Sequence, residues 1–367
     1  MKTICFFNST KAWGGGEKWH FDIALELHKN NFPVLVIVRD QSALHKRLQK
    51  TTVPVETIKV ENLSYLNPLK VSKAAKLFEK HQLSAIIMNS SEDMKFAGLA
   101  AKKAGINHII YRRGSAIPIK NTFINRYFFG NVLTSILANS HATKKTIVQN
   151  NADMFPLEKI TVIPNGIETK TFLETSFEPV YSKTDSDEFV IGNLGRLVYQ
   201  KNQSFLIDVA RELKNRQFNF KLVIGGSGKL LKELQEKTQK LDVTDKVVFA
   251  GFIKNPKDLY SSIDVFMLSS FWEGFGYVIA ESMLCEKPVV AFDVSSNPEL
   301  VKDNVNGYLT EENDVNAVCD KIISLKENPK TYKEFSQNGK QMIVEEFDIR
   351  ITVNRVKDYL VSLINEK

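Results

Sequence analysis

Two glutamates, Glu273 and Glu281, lie eight positions apart on either side of a turn that contains Gly274 and Gly276. Ionised carboxylates accept hydrogen bonds from hydroxyl groups, and glycine turns leave backbone N–H groups free to bind phosphate oxygens. This combination suits a charged ligand that is rich in hydroxyl groups. We expect one carboxylate to bind sugar-type hydroxyls on each side of a bound phosphate.

The neighbouring sequence predicts how these groups are positioned. The apolar run 264–268 is typical of a buried parallel strand, and residues 277–284 have the pattern of a helix. A glycine turn between a strand and a helix directs backbone N–H groups and the positive end of the helix dipole towards an anion such as a diphosphate. Glu281 then lies in the first turns of the helix, and Glu273 lies on the loop before it.

A second predicted loop carries two cations. Arg196 and Lys201, five positions apart, follow the β-rich segment 189–193. The planar fork of Arg and the point charge of Lys can both reach one diphosphate, where they would neutralise the charge that develops as a sugar-phosphate bond breaks. The alternative is a pair of surface cations, but their position ahead of the glutamate turn favours phosphate binding.

Short β-rich runs alternate with helical patterns twice along the chain. The first series occupies residues 1–165 and the second 189–345, separated by a polar linker at 166–188. A final amphipathic helix, 346–367, either packs locally or crosses back to the first domain. The alternation predicts an α/β protein with two doubly wound, Rossmann-like parallel sheets, which would bind a ligand in a cleft between them.

The composition is that of a globular protein large enough for two domains. Of 367 residues 43% are hydrophobic and 25% charged, and no apolar run approaches the roughly 20 residues that cross a bilayer. The first residues lack a signal-peptide pattern, so we expect a cytoplasmic protein. Cys5, Cys285 and Cys319 are too scattered for a disulfide framework, and no Cys/His spacing matches a zinc site.

Charge is distributed unevenly along the chain. Residues 1–165 hold 23 Lys and Arg against 11 Asp and Glu, a net charge of +12, whereas the remainder holds 26 against 31. No acid lies between Asp93 and Asp153. Such a region attracts anionic lipid, phosphorylated glycan or nucleic acid, unless it is a solvated basic surface. Residues 117–129 mix aromatics with cations, which suits a membrane-interface lip or a helix packed into the core.

These motifs together resemble the signature of the family-4 retaining glycosyltransferases of GT-B fold. The resemblance covers most of the chain. It rests on Gly195-Arg196 with Lys201, Glu273-Gly274-Phe275-Gly276 with Glu281, and Lys287 to Ala291, and it extends to Gly14 to Glu17, Ala138 to Ser140 and Val162 to Ile167. It implies transfer of a sugar from a nucleotide diphosphate donor, with retained anomeric configuration, no metal and no cofactor, the nucleotide sugar being a co-substrate.

The resemblance also implies roles for single residues. Arg196 and Lys201 would hold the diphosphate, Glu281 the ribose hydroxyls, and Glu273 the donor sugar as a third catalytic residue. The segment 251–253 matches the place where the family binds the nucleotide base. The turn at Gly14 to Gly16 is either a donor-facing turn or a structural one, and we favour the first. The donor-binding residues expected in all are Gly15, Gly16, Gly195, Phe252, Ile253, Gly274, Phe275, Gly276, Tyr277 and Glu281.

The sequence departs from the family pattern at three places. Arg112-Arg113-Gly114 stands where many members have a histidine near the reacting sugar, so Arg112 or Arg113 would bind an anionic group on the acceptor or donor. Cys285-Glu286 and Ser295-Ser296 replace glycine-containing turns. Asp185-Ser186-Asp187 has the metal-binding pattern of another glycosyltransferase class, but it lies in the polar linker with no strand before it.

The function expected from this resemblance is a hexosyltransferase that uses a nucleotide sugar, in the UDP form, in envelope polysaccharide or lipopolysaccharide synthesis. The acceptor would be a glycan or a lipid-linked molecule, either anionic or lipid-linked in character, and the protein would bind peripherally to the inner face of the cytoplasmic membrane. The alternatives are a nucleotide-sugar epimerase or a phosphorylase of the same fold, or a non-catalytic binder of nucleotides or nucleic acid; nucleic acid is the less favoured partner.

Overall fold

The two alternating series fold as two separate parallel sheets. The computed structural model describes residues 3–365, which divide into unit 1, formed by residues up to Gly166 together with those from Ile349 onward, and unit 2, Ile167–Asp348. Every strand pair in both sheets is parallel. Parallel sheets of this kind are covered on both faces, so their strands are apolar throughout. Val34–Val38, in which all five residues are buried, is an example.

Unit 1 has a seven-stranded sheet with helices on its faces. Its strands are β1 Thr3–Asn8, β2 Val34–Val38, β3 Val55–Thr57, β4 Leu83–Met88, β5 His108–Arg113, β6 Ser135–Ala138 and β7 Ile160–Val162. Its helices are α1 Gly15–Lys29, α2 Ala43–Leu48, α3 Pro68–Lys80, α4 Ser91–Lys103, α5 Phe123–Asn131, α6 His141–Val148 and, from the end of the chain, α15 Ile349–Asn365.

Unit 2 repeats this design with six strands. They are β8 Phe189–Leu194, β9 Phe220–Gly225, β10 Val247–Gly251, β11 Val265–Leu268, β12 Val289–Phe292 and β13 Gly307–Thr310. The helices are α7 Thr169–Glu174, α8 Gln203–Asn215, α9 Leu231–Lys240, α10 Pro256–Tyr260, α11 Tyr277–Leu284, α12 Asn297–Leu300, α13 Val315–Glu327 and α14 Pro329–Glu346.

Each sheet reverses its strand order at one point. The order is β3-β2-β1-β4-β5-β6-β7 in unit 1 and β10-β9-β8-β11-β12-β13 in unit 2. The reversals therefore lie between β1 and β4 and between β8 and β11. Helices leave the sheet in opposite directions at such a point and open a crevice at the carboxyl ends of the strands, which is where doubly wound folds bind ligands.

The final helix packs in unit 1. Val353, Val356 and Leu360 of α15 are buried in the cluster that also contains β1 and β2 side chains. The Tyr359 hydroxyl donates a 2.8 Å hydrogen bond to Ser135 Oγ on β6. The chain thus returns to unit 1 after completing unit 2, and its last helix forms part of the core of the first sheet.

The segment assigned from the sequence to a polar linker, 166–188, is folded onto unit 2 from Ile167 onward. It contains α7, whose end is held by Lys257 Nζ, which donates to the carbonyl oxygens of Leu173 at 2.5 Å and Thr175 at 2.7 Å. Tyr181 donates a 2.7 Å hydrogen bond to Glu188, and burial first, then Glu188, raises the pKa of Tyr181 to about 12. Backbone carbonyls paired by side chains explain why a polar segment is ordered.

Candidate functional site

The loops after β8 and β11 meet at the strand-order reversal of unit 2. Lys201 lies on the first loop and Glu273 on the second, and Lys201 Nζ is 2.5 Å from Glu273 Oε1. Both side chains are largely buried, with 14% and 10% of their surfaces exposed. The structure therefore brings together a cation and a carboxylate that the sequence places 72 positions apart.

Three further hydrogen bonds join the two loops. Phe271 N donates to Gln200 O at 3.0 Å, and Gln200 Nε2 donates to Trp272 O at 2.8 Å. Ser269 Oγ donates to the carbonyl oxygen of Lys201 at 2.9 Å. Because the backbone on each side of the ion pair is held by the opposite loop, the pair has a fixed position before any ligand arrives, as preorganised electrostatic sites require.

Two serines hold the backbone of Glu273. Ser295 Oγ accepts from Glu273 N at 3.2 Å and donates to Glu273 O at 2.6 Å, while Ser296 Oγ donates to Glu273 O at 3.1 Å. Ser295 has a φ of 54°, in the left-handed region. The sequence indicates these serines only as departures from a glycine-containing turn. In the structure they position the glutamate loop.

Arg196 differs from Lys201 in its surroundings. It is exposed, and among residues 3–365 no hydrogen-bond or ion-pair partner is found for its guanidinium. Gly195, before it, donates its N–H to Gly225 O at 3.0 Å and packs against the aliphatic stem of Lys201. One loop thus presents both cations, Lys201 already paired and Arg196 available to an anion.

The glycine segment after β9 supports the Arg196 loop. A Cβ at Gly226 would lie 1.8 Å from Gly195 O, and one at Gly228 would lie 2.3 Å from Leu197 O. Gly226 also has a φ of 135°. Only glycine permits this approach of two backbones. The segment is therefore a turn packed against the loop that carries Arg196 and Lys201.

Gly276 caps the start of helix α11, and its left-handed φ of 83° turns the chain into the helix. Its first-turn N–H groups and dipole make this end of the helix suited to an anion. Glu281, one turn further on, accepts a 3.2 Å hydrogen bond from the Tyr260 hydroxyl. Burial above all, and then Glu281, raises the pKa of Tyr260, so this hydroxyl remains a donor and holds the carboxylate in place.

The expected base-binding segment lies beside the same loops. Gly226 N donates to Gly251 O at 2.6 Å, and Ile253 packs so closely on Gly225 that a Cβ there would be 2.5 Å from Ile253 Cδ1. Phe252 is 77% exposed. An exposed aromatic ring fixed at the end of a strand can stack on a planar ligand group.

In unit 1 the glycine turn between β1 and α1 has a clear packing reason. A Cβ at Gly16 would lie 1.8 Å from Asn89 Nδ2, so Gly16 makes room for a side chain that follows β4. Gly14 lies against Glu17, which accepts a 3.1 Å hydrogen bond from Asn8 Nδ2. Gly15 is exposed at the start of α1. The contact at Gly16 favours a packing role for that glycine, whereas Gly14 and Gly15 are both exposed.

Arg112 is buried rather than presented to an acceptor. Only 3% of it is exposed, and its guanidinium donates to Asn89 Oδ1 at 2.7 Å and Asn165 Oδ1 at 2.5 Å and lies 4.5 Å from the centre of the Trp19 ring. A guanidinium satisfied by protein groups in the interior organises those groups. The expectation that Arg112 contacts a bound anion is therefore not supported by its position.

The Arg113 side chain forms hydrogen bonds with residues close to it in the sequence. Its Nη2 donates to Ile117 O at 2.5 Å, and its Nη1 donates to the Tyr111 hydroxyl at 3.4 Å. The side chain lines a 170 Å³ cavity together with Lys120 and Phe129. Of the two arginines only Arg113 reaches a surface that a ligand can occupy.

Two buried titratable residues of unit 1 were missed by sequence reasoning. His20 is fully buried, and burial first, with Arg112 second, lowers its pKa from 6.5 to about 3. Asp93 is also fully buried and accepts hydrogen bonds from Ser9 N and Ser9 Oγ. Burial raises the pKa of Asp93 to about 6 against these bonds. The polar residues from Ser90 to Asp93 have the pattern of a capped helix start. This pattern does not indicate that the Asp93 side chain is buried.

The Asp-x-Asp pattern has local structural roles. Asp185 Oδ1 accepts from Asp187 N at 3.0 Å, and Asp185 Oδ2 accepts from Asn219 Nδ2 at 3.0 Å. Lys326 pairs with Asp187 and lowers the pKa of that carboxyl. In the described part of the chain no group of three or more His, Cys, Asp or Glu residues is arranged to hold a metal ion.

Two family models match adjoining parts of the sequence. The model described as Glycosyltransferase Family 4 matches residues 13–171, and the model described as Glycosyl transferases group 1 matches residues 176–342. Together they include every element that builds the sites described above apart from β1, which precedes the first match.

Curated relatives are similar over much of their length. An Escherichia coli UDP-Gal:alpha-D-GlcNAc-diphosphoundecaprenol alpha-1,3-galactosyltransferase is 25% identical over 326 residues, 83% of this chain and 82% of its own. A Campylobacter jejuni N-acetylgalactosaminyltransferase, named for a diphospho-undecaprenol-linked substrate, is 29% identical over 233 residues, 62% of this chain and 61% of its own.

Solved structures share the fold of the whole chain. Anabaena Alr3699/HepE, crystallised with UDP, superposes with a TM-score of 0.83 at 24% identity, covering 99% of this chain and 100% of that one. A glycosyltransferase from Rickettsia africae also superposes with a TM-score of 0.83, at 19% identity, covering 100% and 99%. At these identities the likeness establishes a shared two-domain architecture.

Proposed function

Because this chain belongs to glycosyltransferase family 4 and has the GT-B fold, we propose that it is a retaining, metal-independent hexosyltransferase that uses a UDP-sugar. The acceptor is a glycan or a lipid-linked glycan of envelope polysaccharide or lipopolysaccharide synthesis. The E. coli relative named above acts on a lipid-diphosphate acceptor with UDP-Gal, which supports both assignments.

The observation that carries the proposal is the position of the Lys201 and Glu273 pair at the strand-order reversal of unit 2. A departing nucleoside diphosphate needs cations and N–H dipoles more than it needs a nucleophile. We assign these groups to Lys201 and Arg196, on the loop after β8, and to the N–H groups at the start of α11. Glu273 is the carboxylate placed to accept hydrogen bonds from the hydroxyls of the donor sugar.

The proposed chemistry needs no protein nucleophile. The acceptor hydroxyl attacks the anomeric carbon on the face from which the diphosphate leaves, and the bond from that carbon to the phosphate oxygen breaks. The leaving phosphate oxygen accepts the proton of the hydroxyl. Arg196 and Lys201 stabilise the negative charge that gathers on the diphosphate as the bond breaks.

The UDP form of the donor is supported by the base-binding segment and by a relative. Phe252 offers an exposed ring for stacking, and we assign the ribose hydroxyls to Glu281, which accepts a hydrogen bond from Tyr260. Loss of Arg196, Lys201 or Glu281 would have favoured a non-catalytic binder, and all three are present. No observation favours the epimerase or phosphorylase alternative.

We also propose that the protein works at the inner face of the cytoplasmic membrane. None of the helices within residues 3–365 has the length and apolar character needed to cross a bilayer. The net charge of +12 in residues 1–165 attracts anionic lipid, and Phe123, Ile124 and Tyr127 of α5 are exposed at 86%, 43% and 41%. The partly exposed face of α5 supports a membrane contact, while Phe128 and Phe129 pack in the core.

The test is a product analysis with a donor panel. Thermal shifts with UDP-, GDP- and ADP-hexoses identify the donor, and a UDP-hexose should raise the melting temperature most. NMR of the glycoside formed on a diphosphate-linked acceptor should show the anomeric configuration of the donor, with and without EDTA. An inverted product would contradict the retaining mechanism, and loss of turnover in EDTA would contradict metal independence.

A further inference from the structure

A groove runs along the outer edge of unit 1, between the edge strand β3 and helix α3. Its volume is 550 Å³, and its floor is apolar, formed by Ile58, Ala74, Leu77 and Phe96. Five lysines line it: Lys59, Lys70, Lys73, Lys76 and Lys80. The same surface therefore offers hydrocarbon contact below and positive charge around it.

The lysines of α3 recur at helical spacing. Lys70, Lys73 and Lys80 share one face of the helix with Leu77, because successive members of this set are three or four positions apart. Within the described residues, Lys73 and Lys76 have no ion-pair partner. Their positive charge is therefore available to a ligand.

The remaining lysines are only loosely paired. Lys59 and Lys70 are 3.4 Å and 3.5 Å from Glu61, and Lys80 is 3.7 Å from Glu56. Exposed pairs of this length contribute little to stability. Two glutamates against five lysines leave the groove with excess positive charge.

Lysine stems often cover apolar surface with their charged ends in water, and that would be the ordinary explanation of such a cluster. Here the floor is not covered, because a 550 Å³ space remains open above it. A small soluble anion would pair with the lysines but would leave the apolar floor without a contact. A neutral hydrocarbon would cover the floor but would leave the lysine charges unpaired. The ligand that fits both is an anionic amphiphile.

The groove continues towards the strand-order reversal of unit 1. It shares Thr57, Ile58 and Lys59 with a 410 Å³ cavity, which in turn shares Arg39 with a 260 Å³ cavity that reaches Ser9 at the end of β1. Two strand spacings, roughly 10 Å, separate β1 from β3. A ligand anchored at the edge can therefore extend to the carboxyl end of the central strands.

Three exposed leucines lie in the segment that leads into α3 and in its first turn. Leu63, Leu66 and Leu69 are 66%, 65% and 80% exposed, and Lys70 of the groove follows Leu69 directly. Exposed leucines next to lysines match the boundary between bilayer hydrocarbon and anionic headgroups. They favour a ligand that comes from a membrane over one that is free in solution.

Building on the proposed function, we propose that this groove binds the lipid-diphosphate end of the acceptor. The diphosphate lies on the lysines, the hydrocarbon chain on the floor of Ile58 and Leu77, and the glycan extends past Arg39 towards Ser9. The groove thereby selects a long-chain, diphosphate-linked acceptor over a soluble glycan.

The test measures binding of farnesyl diphosphate to the full chain by calorimetry, with excess UDP present to occupy the donor site. Farnesyl diphosphate should bind, and both inorganic pyrophosphate and farnesol should bind at least about tenfold more weakly, since each lacks one of the two contacts. The double variant Lys73→Glu with Lys76→Glu should weaken farnesyl diphosphate binding by about tenfold or more, through repulsion of the phosphates.

The matched control is Lys46→Glu with Lys50→Glu, which makes the same charge change on exposed residues of unit 1 outside the groove. It should alter binding by less than about twofold. Equal weakening in both double variants would show a general charge effect and overturn the site, as would pyrophosphate binding as tightly as farnesyl diphosphate.

Measurements of turnover distinguish a failure of the groove assignment from a failure of the proposed function. With a lipid-linked acceptor the groove variant should raise KM about tenfold with little change in kcat, whereas UDP affinity stays unchanged. Absence of UDP binding by the unaltered protein would refute the proposed function and leave the farnesyl diphosphate result to stand by itself. An unchanged KM in the groove variant would refute the groove alone.

Discussion

At the residue scale, Arg196 and Lys201, the two cations of the loop after β8, differ in what a substitution would report. Lys201 is largely buried against Glu273, and removing one partner of such a pair leaves an uncompensated charge. A Lys201 variant would therefore mix lost catalysis with altered loop structure. Arg196 is exposed and has no described partner, so its removal tests phosphate binding alone.

Arg196→Ala should lower kcat/KM by about 10²–10³, equivalent to roughly 3–4 kcal/mol of transition-state stabilisation. The melting temperature should stay within about a degree, because the side chain makes no contact that folding requires. Steady-state kinetics with saturating acceptor provide the measurement. Lys240→Ala, an exposed lysine at the end of α9, is the control and should retain full activity.

His20 predicts an acid-sensitive step in stability. Its pKa is about 3 in the folded protein and 6.5 when unfolded, so the unfolded state binds more protons between these values. The stability contribution is complete above pH 6.5 and is lost as pH falls, by up to about 1.4 kcal/mol per unit. Asp93, with a folded pKa of about 6, has the opposite slope at lower pH and partly offsets it.

His20→Met should remove the histidine contribution. Urea unfolding of the variant and the unaltered protein at pH 7, 6 and 5 provides the comparison. The difference in unfolding free energy between them should change in favour of the variant as pH falls, since methionine has no proton to gain. A difference that is constant across this range would show that His20 is not buried in its neutral form.

At the element scale, glycine segments set how closely the loops approach. The turn after β9 lies against the backbone of the loop after β8, and the turn before α1 lies against Asn89 after β4. In both units the close approach occurs next to the strand-order reversal. The functional loops are therefore positioned by backbone packing as well as by their own hydrogen bonds.

Gly226→Ala should destabilise the protein by about 1–3 kcal/mol, because the new Cβ would meet Gly195 O and the φ of 135° strains any residue with a side chain. It should also raise KM for the UDP-sugar, since the Arg196 loop must move. Chemical unfolding and donor kinetics measure the two effects.

Gly130→Ala is the matched control. Gly130 lies within α5, and no atom is found within 4 Å of an added Cβ among those described. Alanine there should be neutral or stabilise by about 0.5–1 kcal/mol, as in other helix interiors. Equal destabilisation by the two substitutions would argue against the close approach at Gly226.

At the scale of the whole molecule, the two units are complete parallel sheets with separate cores, and the last helix belongs to the core of the first. Substitutions of buried residues in that helix should therefore lower the stability of unit 1. The proposed donor residues at the strand-order reversal, by contrast, lie within unit 2.

Leu360→Ala should destabilise unit 1 by about 2–5 kcal/mol, as expected for a fully buried leucine. UDP affinity at 25 °C should remain within about twofold, because Arg196, Glu273 and Glu281 are all in unit 2. Differential scanning calorimetry and UDP titration measure the two quantities. A large loss of UDP affinity without global unfolding would contradict this assignment.

Local sequence patterns were sufficient to predict the α/β class and the two series of strands, and they also indicate the residues that we propose for donor binding. Strand, glycine turn and helix are local features, and Arg196, Lys201, Glu273 and Glu281 occur at spacings that local geometry can interpret. The family resemblance also rests on short motifs, which the amino-acid order alone displays.

Tertiary packing determines which of the predicted residues are buried and what they touch. Arg112 has the sequence context of an available cation, yet only 3% of it is exposed because Asn89, Asn165 and Trp19, distant along the chain, surround it. The burial of His20 and the lysine groove beside β3 are likewise products of packing. Contacts between residues far apart in sequence depend on strand order and register, and no local pattern encodes them.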